Sequence, residues 1–120
     1  MAARHILLVD DNALLLQSMA LAIAQEGHQV GTAGNGRQAM DYIRANHPEI
    51  VVLDLFMPDM DGFETLHAIR EEFSQLRTVL VSGGGTCGKH LYLDMVPRLG
   101  ADAVLQKPFT ARRLLDVALA

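Results

Sequence analysis

The apolar positions of this chain follow two alternating patterns. Short runs without a polar gap, Ile6-Leu7-Leu8-Val9, Ile50-Val51-Val52-Leu53 and Val79-Leu80-Val81, read as strands buried on both faces. Between them, apolar residues recur every three or four positions, the spacing of one helix face. The first strand covers Arg4 to Val9, Asn12 caps a helix running to Glu26, and Gly27 stops it. Leu15, Met19, Ala22 and Ile23 make the apolar stripe of that helix. Leu14, Leu21 and Ala24 fall on its outer side, wetted only by Gln17, Ser18 and Gln25. An outer face this apolar is either a docking surface or a plain alanine-rich surface helix.

The alternation continues. Gln29–Ala33 is a short strand, Gly34-Asn35-Gly36 a turn, and residues 37–45 a helix with Ala39, Met40 and Ile43 inward. The central strand Ile50–Leu53 ends on Asp54, and Leu55-Phe56-Met57-Pro58 carries the chain off the sheet. A helix over 63–73 buries Leu66, Ile69 and Phe73, and the next strand, 78–81, ends at Ser82. Gly83-Gly84-Gly85 opens a helix carrying Leu91, Leu93, Met95 and Val96, which Pro97 disturbs or ends because it lacks a donor and crowds the preceding turn. Ala103-Val104-Leu105 is a last strand closed by Lys107-Pro108, and Thr110 caps a final helix holding Leu114, Leu115 and Leu119. Strands and helices alternating about five times give an α/β fold, a parallel sheet with helices on both faces.

Composition narrows the class. At 120 residues, half of them apolar and a fifth charged, the chain reads as one globular domain over 1–120, with no output domain expected. The net charge of −4 supplies no electrostatic reason to expect nucleic acid as a partner. No run approaches the ~18 apolar residues of a membrane span, and Arg4, His5 and Asp10 interrupt any signal-like segment. Cys87 is the sole cysteine, so an internal disulfide is impossible and a reducing, cytoplasmic location is expected.

Candidate chemistry comes from where the strands end. In a parallel sheet all carboxyl ends lie along one edge, where open α/β sheets bind ligands. Asp10 and Asp11 end the first strand, Asp54 the third, Ser82 the fourth and Lys107 the fifth. Alone, Asp54 reads equally well as a strand cap meeting solvent. Together, three carboxylates, a hydroxyl and an ammonium form a set that is hard to dismiss. Clustered carboxylates repel unless a cation joins them, and hard oxygen ligands suit Mg²⁺, which keeps waters and phosphate oxygens. A lysine and a hydroxyl beside the ion suit a phosphoryl group, and an aspartate there can be the nucleophile that forms an acyl phosphate.

Val9-Asp10-Asp11-Asn12, Leu53 through Gly62, Val81-Ser82-Gly83 and Lys107-Pro108-Phe109 together resemble the receiver domain of two-component response regulators, from about Arg4 to the end. The resemblance implies a flavodoxin-like doubly wound (βα)5 sandwich with sheet order 2-1-3-4-5. It implies that Asp54 accepts a phosphoryl group from a phosphohistidine of a sensor histidine kinase or histidine phosphotransfer protein. It further implies that Asp11, Asp54 and the Phe56 carbonyl bind Mg²⁺ directly and Asp10 through water. Lys107 would pair with the phosphoryl oxygens, Ser82 would swing to hydrogen-bond them, and the Lys107-Pro108 bond would be cis. Such a domain is a switch and not an enzyme acting on a separate substrate.

Two positions depart from that pattern. Val104 stands where the family usually has an aromatic residue, so the usual ring movement cannot couple to Ser82, and Phe56 puts bulk beside the phosphoacceptor. Order in the loop and helix of residues 83–97 is the expected alternative readout. Two rival readings follow: a degenerate receiver that binds a partner without being phosphorylated, and a nucleotide hydrolase. The second rests on Gly83-Gly84-Gly85-Thr86-Cys87-Gly88-Lys89, which matches seven positions of a phosphate-binding loop but continues with His90 in place of the hydroxyl residue. His5, His28, His47, His67 and His90 show no metal-ligand spacing, and most of them read as surface or strand-end residues.

Overall fold

The structure, a computed structural model, describes residues 3–55, 62–82 (without the Ser82 side chain) and 100–120. Five strands and four helices are defined within them. They run β1 (His5–Val9), α1 (Ala13–Gln25), β2 (Gln29–Ala33), α2 (Gly36–Asn46), β3 (Ile50–Asp54), α3 (Gly62–Glu72), β4 (Arg77–Ser82), β5 (Ala103–Gln106) and α4 (Ala111–Ala118). All neighbouring strands pair in parallel, in the order β2-β1-β3-β4-β5, as the resemblance implied. The helix expected after Gly85, with Pro97 and the phosphate-loop-like segment, lies outside the described residues.

Period-two alternation along the strands divides the core into two layers. Leu7 and Val9 of β1 face α2 and α3, where they pack with Met40, Ile43, Leu66 and Ile69. Ile6 and Leu8 face the other way, onto Leu16 and Ile23 of α1 and Leu114 and Leu115 of α4. β3 lies between β1 and β4 and is buried throughout, which is why it reads as an unbroken apolar run. Each of these large aliphatic side chains contributes about 1.5–3 kcal/mol by leaving water.

Three caps are those expected from sequence. Asn12 Oδ1 accepts from the Leu15 N–H at 3.1 Å, and Thr110 Oγ1 accepts from Arg113 N–H at 3.1 Å. Gly27, at φ +97, turns the chain out of α1. Asn35 caps α2 by accepting from Gln38 N–H at 2.9 Å. Arg77, at the start of β4, donates to the carbonyls of Val117 and Ala118 at the end of α4.

β2 looks weak as a sequence because Gly31 interrupts it. Tyr42 of α2 lies across the strand at that point, and a side chain at Gly31 would occupy the volume of its ring. The Tyr42 hydroxyl in turn meets His5 Nε2 at 2.6 Å, tying α2 to β1.

One expectation for α1 needs correction. Its buried residues are Leu16 and Ile23, with Leu15, Met19, Ala20 and Ala22 only half covered, so the inward face is rotated from the Leu15–Met19–Ala22–Ile23 stripe. Three successive leucines, Leu14-Leu15-Leu16, leave the phase of the helix undetermined by periodicity, and its position over β1 and beside α4 selects Leu16. The outer face is as expected: Leu14 is 78% and Leu21 63% exposed, and Ala24 is exposed. His28, directly before β2, is buried, and its Nδ1 accepts from Arg4 N–H at 3.0 Å.

Candidate functional site

β1 and β3 deliver the acidic residues to one edge. Their parallel register pairs Val9 with Leu53, so Asp10 and Asp54 follow one step later on adjacent strands. Asp10 N–H donates to Ala33 O at 3.1 Å, which holds the chain extended past the last residue of β1. Asp10 Oδ1 then accepts from Asn12 N–H at 2.9 Å, so the residue that begins α1 also orients this carboxylate. Leu55 N–H donates to Val81 O at 3.0 Å, extending the β3–β4 ladder beyond Asp54.

Gly62 fixes the other side of the end of β3. Its N–H donates to Leu55 O at 3.1 Å, and its α-carbon is packed so tightly that a Cβ there would run into the backbone of Asp54 and Leu55. Only glycine allows the first turn of α3 to seat on the strand end at this distance. Sequence reasoning placed Gly62 in the motif but did not find this contact; a glycine directly before a helix is the available signal.

The result is a tight acidic cluster. One carboxylate oxygen from each of Asp10, Asp11 and Asp54 lies within 4.8 Å of the others. Asp10 and Asp54 are buried and Asp11 is exposed. Lys107, immediately after β5, reaches into this cluster: its Nζ lies 2.9 Å from Asp10 Oδ2 and 3.4 Å from Asp54 Oδ2. Burial alone would push the Lys107 ammonium down, but its hydrogen bond to Asp10 and the charges of Asp54 and Asp10 outweigh this and hold it above the ordinary lysine range. The Lys107-Pro108 bond that follows is cis. A small cavity that Asp10 lines is otherwise apolar, bordered by Leu8, Leu15, Leu16, Val52, Phe109 and Leu114.

Three carboxylates and one ammonium leave an excess of two negative charges. A divalent cation would neutralise it, and the all-oxygen, partly open arrangement is the kind Mg²⁺ accepts while keeping waters. The cluster therefore fits Mg²⁺. Of the residues expected from sequence, the structure brings together Asp10, Asp11, Asp54 and Lys107. β4 ends at Ser82, whose register partner is Gln106, next to Lys107. The Ser82 side chain and Phe56 lie outside the described residues. Val104 is half buried and packs against the layer containing Leu80 and Leu66. No helix among the described residues is long and apolar enough to cross a membrane.

Comparison with known proteins agrees with this architecture. Residues 6–119 match the family described as response regulator receiver domain. The probable transcriptional regulatory protein TcrX of Mycobacterium tuberculosis is 33% identical over 112 residues, covering 92% of this chain but 46% of TcrX. The chain thus spans about half the length of that curated relative. NtrX of Brucella abortus superposes with a TM-score of 0.85 at 31% identity, over 95% of this chain and 26% of NtrX. The chemotaxis protein CheY4 of Vibrio cholerae superposes with a TM-score of 0.85 at 26% identity, over 96% of this chain and 95% of CheY4. By sequence match, sheet order and strand-end chemistry alike, the chain belongs to the response regulator receiver domain family of two-component signalling.

Proposed function

We propose that this receiver is a competent phosphoacceptor, with Asp54 as the nucleophile. What carries this reading is the convergence of Asp10, Asp11 and Asp54 within 4.8 Å, with Lys107 Nζ 2.9 and 3.4 Å from two of them. The phosphoryl donor is a phosphohistidine on a sensor histidine kinase or a histidine phosphotransfer protein.

In the transfer an Asp54 carboxylate oxygen forms a bond to phosphorus as the phosphorus–nitrogen bond of the phosphohistidine breaks, and the departing imidazole keeps the electron pair and takes a proton from water. A bound Mg²⁺ would supply positive charge to the phosphoryl oxygens. Asp11 and Asp54 would hold the ion directly, with the Phe56 carbonyl, and Asp10 through water. Lys107 neutralises a further phosphoryl oxygen, and Ser82 hydrogen-bonds another once the group has moved. The chain's own work is positioning: β1 and β3, with the residue that follows β5, gather the attacking oxygen and the counter-charges at one edge before the donor arrives. The uncharged outer face of α1, with Leu14 exposed in the first turn after Asp11 and Leu21 exposed two turns further on, is where the histidine-bearing partner docks.

Incubation with acetyl phosphate and Mg²⁺, followed by intact-mass measurement, tests this. One phosphoryl group is expected on the wild-type chain and none on Asp54→Ala. A wild-type chain that takes no label, while binding a partner all the same, would replace this reading with that of a phosphorylation-independent binding module.

A further inference from the structure

β5 is a short edge strand. It has four residues, and among the described residues it pairs only with β4 and has Leu105 as its single fully buried side chain. Yet Lys107 follows it directly, and a slip of one residue in its register would turn the side chains to opposite faces and withdraw the ammonium from the acidic cluster.

A polar clamp sits at the opposite end of the strand. Asp102 N–H donates to Thr78 O at 2.9 Å, and Asp102 Oδ2 accepts from Thr78 N–H at 2.8 Å, so this residue grips one position of β4 with both backbone and side chain. The same carboxylate oxygen accepts from an Arg70 terminal nitrogen at 2.9 Å. The other terminal nitrogen of Arg70 donates to the carbonyls of Ser74 and Leu76, at 3.1 and 3.0 Å. Arg70 is thereby tied to the α3–β4 connection, and the clamp references the start of β5 to both α3 and β4.

Resting on the phosphoacceptor reading above, we propose that Asp102 and Arg70 are positioning residues for phosphoryl transfer, setting the register of β5 so that Lys107 reaches Asp54. They touch neither the acidic cluster nor its ligands. The hydrogen bonds of the clamp run to Thr78 and the α3–β4 connection, so its effect on the chemistry is expected chiefly through Lys107, while Asp10, Asp11 and Asp54 stand at the ends of β1 and β3.

The test is a double-mutant cycle between Asp102→Asn and Lys107→Ala, read by the rate of labelling from acetyl phosphate at saturating Mg²⁺. Asparagine keeps an acceptor for Thr78 N–H, and Arg70→Gln serves as the second variant should Asp102→Asn fold poorly. With Lys107 present, Asp102→Asn is expected to slow labelling on the order of tenfold, as a misplacement of under about 1 Å can. In the Lys107→Ala chain it is expected to slow labelling no further. Mg²⁺ affinity should stay within about twofold of wild type, since its ligands are elsewhere, and amide exchange of Ala103–Gln106 should accelerate while β1 and β3 are unchanged. Equal slowing with and without Lys107, or weakened Mg²⁺ binding, would make the clamp general scaffolding and overturn the proposal, as would unchanged labelling or unchanged exchange in β5. A wild-type chain that takes no label overturns the phosphoacceptor reading instead; the exchange of β5 still decides whether the clamp holds the strand.

Discussion

The ammonium of Lys107 lies 3.4 Å from a carboxylate oxygen of Asp54 across a separation of 53 positions, and 2.9 Å from one of Asp10. In the metal-free chain it is therefore, among the described residues, a cation compensating the acidic cluster. Lys107→Ala removes that compensation from the cluster of Asp10, Asp11 and Asp54. The metal-free variant is expected to lose about 1–3 kcal/mol of stability. Added Mg²⁺ should raise its melting temperature more than that of wild type, because the ion no longer competes with an ammonium. A thermal melt with and without Mg²⁺ measures this, and a smaller Mg²⁺ shift in the variant would contradict it.

Asp102 makes the stability of this fold depend on acid. Burial raises its carboxyl, but the Thr78 N–H and the Arg70 guanidinium more than offset that and hold it below the usual carboxylate range. A depressed folded value means stability that is present above the unfolded value of about 3.9 and lost as pH falls through the folded one. Asp102→Asn cannot titrate. Its deficit is expected to be about 1 kcal/mol, the exposure of this carboxylate screening the ion pair. Urea unfolding should show that deficit constant from about pH 5 to 8 and shrinking below about pH 4. A deficit that persists unchanged at low pH would mean that shape, and not charge, is what Asp102 supplies.

How much of this was legible without coordinates follows the reach of each interaction. β1, β3 and the caps at Asn12 and Thr110 depend on a few neighbouring residues, and they appear where the pattern places them. The cluster of Asp10, Asp11, Asp54 and Lys107 is long-range, yet one topological rule, that parallel strands share an edge for their carboxyl ends, is enough to gather it. The inward face of α1 was misread because Leu14, Leu15 and Leu16 are equally apolar, and only the neighbouring elements select among them. The Arg70–Asp102 pair spans 32 positions with no motif and no rule to join it, so nothing in the pattern announces it.

Gly62 is expected to tolerate no side chain. A methyl group there would be driven into the Asp54 and Leu55 backbone, and backbone cannot swing aside as the end of a flexible side chain can. Gly62→Ala should cost about 1–3 kcal/mol, the range for overpacking, and should slow labelling of Asp54 by moving the strand end that carries it. Chemical denaturation and acetyl phosphate labelling read the two effects. A variant with unaltered stability would show that the first turn of α3 lifts away from β3 at no cost.

Leu14 and Leu21 separate recognition from chemistry. They are seven residues apart on one face of α1, both exposed, and the helix has no charged residue between Ala13 and Gln25. Such a face offers a partner helix apolar contact without like-charge repulsion, and it makes no contribution to the core. Leu14→Glu or Leu21→Glu should therefore change stability by less than about 0.5 kcal/mol and leave labelling by acetyl phosphate, which needs no docking, as in wild type. Transfer from a phosphohistidine-bearing partner should fall on the order of tenfold or more, the effect of about 1.4 kcal/mol at a contact residue. Measuring both donors on the same variants decides the matter. If partner transfer keeps its rate, the partner approaches the acidic edge from another side and the exposed leucines of α1 belong to a different contact.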